Sequence, residues 1–319
     1  MTAHTVVARH RKLVVRAYHA RKRRYALPVV LVPALISRAT ILDLYEGGSL
    51  AQYLAGSGYH VYLIDWGVPG DEDRELGLGD VLTEYLPYAL ERVRRDCEHD
   101  AVSLVGYCMG GTLAVVYAAR EALGPRDNLV ALAAPVDFAH GGRLAEWCSS
   151  RVLEIDRIVE TFGNVPALLI EAVFTLLRPT AKIRAALRFF EHCDEPQAHE
   201  AYAALARWSD DWIPFPGLAA RQWITAFYQE NRLIRGELEV AGVPIDLRRI
   251  TAPVLAIAAE HDEISPPPSI EPLIERVSSR DRTFVVLPGG HIGLVAGRSA
   301  RRVLWPILDS WLAEHSVPV

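Results

Sequence analysis

Cysteine is scarce in this chain, with four residues in 319 and no regular spacing among Cys97, Cys108, Cys148 and Cys193. No secretory hydrophobic region follows Met1, so together these features predict a reducing cytosol and no disulfide framework. Long apolar runs are missing too. The most apolar piece, Ala167 to Leu177, is eleven residues between Pro166 and Pro179, which is too short to span a bilayer. It reads either as a helix packed on a core or as a substrate-tunnel or partner surface. Internal repeats and low-complexity linkers are absent. The net charge of -5 gives no overall case for nucleic acid. Acids are absent from residues 1–24, which hold eight of the 34 Lys and Arg. The rest of the chain then carries 26 bases (34 less 8) against 39 acids. A basic arm on an acidic body either touches an anionic surface or forms a solvated edge. What the chain does have is hydrophobic content, half of its residues, enough for one elaborated domain with a large core.

Short β-branched runs alternate with helical patterns through the first part of the chain. Leu13 to Tyr18 reads as an edge strand leading into the basic turn Arg21 to Arg24. Val29 to Val32, Val61 to Ile64, Val102 to Val105 and Leu129 to Ala133 read as buried strands. Ser49 to Ser57 and Asp80 to Asp96 lie between them as amphipathic helices. This alternation predicts an α/β fold with a mostly parallel sheet covered on both faces. Beyond Pro135 the rhythm changes, and residues 139–235 show only helical patterns punctuated by prolines. Strands resume at Val254 to Ala258 and Thr283 to Leu287, with Val303 to Leu312 as a closing helix. The division expected is a core of residues 1–138 and 236–319 interrupted by a helical cap over 139–235.

Chemistry concentrates in Gly106-Tyr107-Cys108-Met109-Gly110-Gly111. This is the G-x-C-x-G-G form of a nucleophile elbow, standing between a strand and the helical run Leu113 to Ala122. A nucleophile on so sharp a turn needs neighbours without side chains, which the glycines supply. The helix N-terminus behind Cys108 favours a thiolate. Partners on such a sheet follow in the order nucleophile, acid, histidine. Asp262 stands just beyond Val254 to Ala258, and His291 just beyond Thr283 to Leu287, both at strand C-terminal ends where open α/β sheets place their sites. His261 is a rival histidine, but it sits beside the acid and not on the later loop. Cys97, Cys148 and Cys193 lack any motif and read as packing residues.

These residues resemble those of polyhydroxyalkanoate synthase catalytic subunits, α/β-hydrolase-fold enzymes, and in particular the short kind that works with a second subunit (class III/IV-like). The likeness is carried by Leu31 to Leu44, Tyr59 to Gly67, the elbow, Thr225 to Ile250, the Asp262 loop and Gly289 to Ile292. Residues 139–220 match weakly. Met109 stands where the family usually has Gln, Glu263 where it usually has His, and the chain is short for the class. The resemblance implies a cytoplasmic acyltransferase, with association to polyester granules, that moves the acyl group of a 3-hydroxyacyl-CoA onto a growing polyester. It implies a triad of Cys108, His291 and Asp262, an oxyanion held by the N–H groups of Met109 and Leu35, and CoA thioester as substrate with no metal or organic cofactor. It further implies a homodimer or a second synthase subunit as partner, and neither nucleic acid nor a transmembrane segment. Two other readings stay open: a Cys-dependent hydrolase (thioesterase, polyester hydrolase or dienelactone hydrolase), and a non-catalytic granule-associated or partner-binding protein.

The elbow assignment has a direct test. Cys108→Ala should abolish CoA release from 3-hydroxybutyryl-CoA, whereas alanine at Cys97, Cys148 or Cys193 should leave it in place. Release of free thiol measures this, and near-normal turnover in Cys108→Ala would remove the basis of the whole reading.

Overall fold

Runs of valine, leucine and isoleucine between turn residues build the sheet of the computed structural model, which describes residues 2–149, 151–191, 193–195 and 197–319. The strands are β1 (Thr5–His10), β2 (Leu13–Tyr18), β3 (Val29–Val32), β4 (Val61–Asp65), β5 (Ser103–Tyr107) and β6 (Asn128–Leu132). After a long helical stretch come a short hairpin of β7 (Glu239–Val240) and β8 (Val243–Pro244), then β9 (Val254–Ala259) and β10 (Arg282–Leu287). Eight strands form one sheet in the order β1-β2-β4-β3-β5-β6-β9-β10. From β4 to β10 the neighbours are parallel, while β1 and β2 are antiparallel additions at one side.

Strand periodicity divides the core in two. Val30, Val32, Leu104 and Ala131 face the layer holding Leu86, Leu90, Val93, Leu113 and Val116. Val29, Leu31, Val105, Val130 and Leu132 face the other layer, with Leu50, Leu54, Trp305 and Leu308. Each strand of the middle is therefore apolar on both faces and wholly buried, as parallel sheets require. The result is an α/β-hydrolase fold. Among the described residues no helix is long and apolar enough to cross a membrane.

The edge differs from the sequence reading. Leu13–Tyr18 lies inside the sheet because β1 pairs along its outer side. Leu13, Val15 and Ala17 are consequently buried, while Thr5 and Val6 of β1 face solvent. The basic arm is this hairpin and is largely engaged with the body. Lys12 pairs with Glu72 and, at 2.6 Å, with Asp73. Arg16 pairs with Asp65, and Arg23 donates to the carbonyls of Tyr25 and Ala26. The run expected as one helix over Asp80 to Asp96 begins at Leu78, passes through a π-turn at Val81–Tyr85 and continues regularly over Leu86–Cys97.

Between β6 and β7 the described residues form helices, among them Gly142–Cys148, Ile155–Phe162, Ala167–Leu177, Ala181–Phe190, Ala198–Asp210 and Gly217–Trp223. Ser150, His192 and Pro196 of the expected cap lie outside the described residues. The later part is anchored deeply, since Ala219, Ala220, Trp223 and Phe227 belong to the main core cluster. The earlier part is not. Helix Ala167–Leu177 buries only Ile170 and Leu177 and stacks Phe174 on Trp212 at 4.7 Å. Leu168 and Leu176 are 73% and 67% exposed, so half of this helix presents carbon to solvent. Of the cysteines read as packing residues, Cys97 and Cys148 are buried and Cys193 is half-buried.

Helix Met109–Glu121 crosses the sheet at very short range. A Cβ on Gly110 would overlap the carbonyls of Val32 and Pro33, and one on Gly111 would overlap Ala134. Gly110→Ala should therefore cost about 2 kcal/mol or more of stability. Gly56→Ala, in a helix and with nothing near its missing side chain, should gain roughly 0.5–1 kcal/mol. Melting curves of the two variants against the parent would show shifts of opposite sign.

Candidate active site

The site begins where β5 runs into the helix behind it. Cys108, the single residue between them, has φ 56° and ψ −131°, a conformation costing an L-residue on the order of 1–3 kcal/mol. Its surroundings enforce it. The Cys108 N–H donates to Leu132 O at 2.8 Å, and its carbonyl accepts from the N–H groups of Gly111 at 2.9 Å and Thr112 at 3.1 Å. Gly106 and Gly111 touch backbone to backbone, so no side chain fits on either. The Cys108 side chain is half-buried and packs against both core layers, at the upper edge of the sheet.

Two amides are expected to hold the oxyanion. Met109 opens the helix, where the first N–H groups have no helical acceptor. Leu35 follows β3 and is buried. Its N–H donates to no acceptor among the described residues. The close seat of Gly110 on Val32 and Pro33 keeps these two stretches of backbone together.

His291 and Asp262 arrive from loops after β10 and β9. The His291 Nδ1 meets Asp262 Oδ2 at 2.7 Å, with both side chains almost fully buried. The other Asp262 oxygen accepts from the N–H groups of Ile264 and Ser265, each at 2.8 Å. Bonds to both oxygens fix the carboxylate plane and offset its desolvation. Cys108 lies near enough to the same imidazole to act on its charge. Burial by itself would lower the His291 pKa, but the negative charge of Asp262 and the contact with Cys108 outweigh it and raise the value to about 10. Charge on the ring is thereby favoured. His261 takes no part: its side chain is 76% exposed and lies 4.0 Å from Glu260. The structure thus pairs His291 with Asp262 and sets Cys108 near the imidazole; Met109 follows Cys108 at the start of the helix, and Leu35 is buried in the stretch after β3.

Three nearby side chains escaped the sequence reading. The Tyr107 hydroxyl donates to the His291 carbonyl at 3.1 Å, bracing the histidine from beneath. Its place next to the nucleophile was the available signal. Arg178, at the end of helix Ala167–Leu177, reaches Glu263 at 3.5 Å and lies close to Gly290. Tyr228 of the π-turn Ile224–Gln229 packs with Cys148, Leu177 and Ile264. Both fall among apolar helical patterns, where periodicity cannot separate a site residue from a core one.

A sheet of this order, carrying a strained nucleophile ahead of a buried acid and histidine, defines the α/β-hydrolase class. The model of the alpha/beta hydrolase fold family matches residues 28–297. An esterase from Thermogutta terrifontis, solved with malate bound, superposes with a TM-score of 0.60 over 99% of this chain and 100% of that one, at 16% identity. Within that class the chain belongs to the poly(3-hydroxyalkanoate) polymerase PhaC family. It is 33% identical over 291 residues to the poly(3-hydroxyalkanoate) polymerase subunit PhaC of Allochromatium vinosum, covering 91% of this chain and 81% of that protein. It is 35% identical over 318 residues to the PhaC subunit of Haloferax mediterranei, covering 99% of this chain and 64% of the other. The chain thus spans less than two thirds of the haloarchaeal relative's length.

Asp262→Asn would leave burial as the dominant influence on His291 apart from Cys108. The proton now held to about pH 10 should then be lost at much lower pH. Acylation of Cys108 should fall by about 10²-fold or more. An NMR titration of the histidine rings, paired with mass spectrometry of the acyl-enzyme, measures both. The same assay on His261→Gln should show acylation close to the parent.

Proposed function

We propose that this chain is an acyltransferase that polymerises 3-hydroxyacyl-CoA, with 3-hydroxybutyryl-CoA the first candidate, into a polyhydroxyalkanoate. The observation that carries the proposal is a cysteine on a strained strand-to-helix turn, near a buried histidine paired with Asp262, in a chain of the PhaC family. The Cys108 thiolate attacks the thioester carbonyl, and the oxyanion accepts from the N–H groups of Met109 and Leu35. Collapse breaks the bond to CoA, whose sulfur leaves with the proton from His291. One thioester has replaced another, so the acyl group stays activated. A hydroxyl of a second acyl unit then gives its proton to His291 and attacks the acyl carbon. An ester bond forms as a thiolate is released, and the polymer is one unit longer. Asp262 orients His291 and balances its charge throughout. The reaction needs no metal and no organic cofactor beyond CoA, which enters as part of the substrate.

Water competes with the hydroxyl in the second step, so the helical segment over 139–235 acts as a cap that keeps the acyl-enzyme dry. It also has to move for CoA to enter and polymer to leave. The relatives are called subunits, which supports a second synthase subunit or a second copy as partner. The exposed carbon of Leu168 and Leu176 gives that partner, or the surface of a polyester granule in the cytoplasm, a place to dock.

Purified chain incubated with 3-hydroxybutyryl-CoA should release CoA and deposit insoluble polyester, slowly and after a lag that a partner subunit or pre-formed oligomer shortens. Thiol release and recovered polymer are followed together. Free 3-hydroxybutyrate as the main product would make the chain a hydrolase, and no CoA release even with partner present would leave a binding role.

A further inference from the structure

Several buried tyrosines in this protein use their hydroxyls to tie neighbouring elements together. Tyr18 donates to Asp43 at 2.8 Å, Tyr59 to the Asp309 carbonyl at 3.1 Å, Tyr62 to Asp96 at 2.6 Å and Tyr107 to the His291 carbonyl at 3.1 Å. Tyr228 is different. Its oxygen makes no hydrogen bond with any described residue, yet it is not sealed away from solvent. A phenol that is packed, unpartnered and still reachable faces open space where something else can bind it.

Its position is held on every side. Tyr228 sits in the π-turn Ile224–Gln229, where the N–H of Glu230 bonds the carbonyl of Thr225 at 3.0 Å. Such turns insert a residue into a helix, re-aim the side chains around it, and recur at functional sites. The ring meets Phe138 edge-on at 4.9 Å and packs against the cluster formed by Leu144, Cys148, Leu177 and Ile264. The adjacent Gln229 is tied to the carbonyls of Cys148 and Leu153 at 3.2 and 3.1 Å. Ile264 belongs to the loop that holds Asp262, so the ring borders the triad. Burial first, and then the negative charges of Cys148, Cys108 and Asp262, raise the phenol pKa well above its usual value. The hydroxyl is therefore a neutral donor.

We infer that the Tyr228 hydroxyl binds the oxygen on the β-carbon of the acyl group carried by Cys108, and so selects 3-hydroxyacyl over unsubstituted acyl thioesters. The inference rests on the acyl-transfer reading above. In that reading the other polar groups are already committed. The amides of Met109 and Leu35 take the carbonyl oxygen, and His291 serves the leaving sulfur and the incoming hydroxyl. The β-oxygen, present in every substrate and in every repeat of the polymer, is left without a partner. The cluster against which Tyr228 packs, Leu144, Cys148, Leu177 and Ile264, is apolar. One neutral donor among carbon is the arrangement that recognises a single oxygen.

The test compares Tyr228→Phe with the parent. Each protein is given 3-hydroxybutyryl-CoA or butyryl-CoA, and the rate of Cys108 acylation is followed by intact-mass spectrometry. The parent should favour the hydroxyacyl thioester, and the variant should lose about tenfold of that preference, as expected for one hydrogen bond. Because the hydroxyl bonds nothing in the protein, the melting temperature and the rate of Cys108 alkylation by iodoacetamide should match the parent. An unchanged preference, including equal loss for both thioesters, overturns the assignment of Tyr228 while leaving the acyl-transfer reading intact. No acylation of the parent by either thioester overturns that reading, and this inference with it.

Discussion

The close seat of one helix on the sheet governs the rest of this molecule. Cys108 can stand at φ 56° only because the backbones of Gly106, Gly110 and Gly111 touch their neighbours with no side chain between. That contact sets three things together. It aims the sulfur above the sheet, it directs the helix N-terminus at the same point, and it draws the stretch after β3 alongside. The parallel order of β3, β5, β6, β9 and β10 then delivers the acid and histidine loops to that one edge. Strand order and nucleophile geometry are thus a single arrangement seen at two scales.

The electrostatics follow from what is buried. Removing an imidazole and a carboxylate from water is costly, and such a pair persists only when its hydrogen bonds are complete. Asp262 accepts from His291 and from two backbone N–H groups, so the cost is largely offset. The imbalance that remains favours charge on the ring: burial opposes the imidazolium, and the adjacent carboxylate and sulfur more than restore it. His261 faces solvent and stands outside this pair.

Much of this was legible in the chain of letters, for physical reasons that also mark where legibility ends. Strands buried on both faces announce themselves as β-branched runs, and so Val29–Val32 and Val254–Ala259 could be read directly. β1 could not, because Thr5–His10 buries little and its two valines lie in a polar string. The elbow, Asp262 and His291 were readable since tight turns demand glycine and strand ends demand the site. The π-turns were not, because an inserted residue leaves the apolar pattern nearly unchanged. Tyr228 and Arg178 were hidden for that reason, and because an aromatic or a long basic residue on a helix is ordinary packing until its neighbours are known. The apolar stretch Ala167 to Leu177 reads the same whether its carbon is inside or out.

Helix Ala167–Leu177 and its neighbours join the body partly through ties of a surface kind, beside the apolar contacts of Ile170 and Ala204. Arg178 reaches Glu263, Arg38 reaches Asp211 at 2.9 Å, Arg298 reaches Glu195 at 2.6 Å, and the Trp208 indole donates to the Arg38 carbonyl at 2.9 Å. Half-exposed ion pairs of this sort are worth about 0–1 kcal/mol each. The sheet, by contrast, is interlocked hydrocarbon. The two parts therefore keep different clocks. Loosely tied segments in general explore the microsecond-to-millisecond range, and buried strands exchange their amide protons only on wider opening. Ionic strength, which screens the ties and leaves the hydrocarbon alone, acts on the faster of the two.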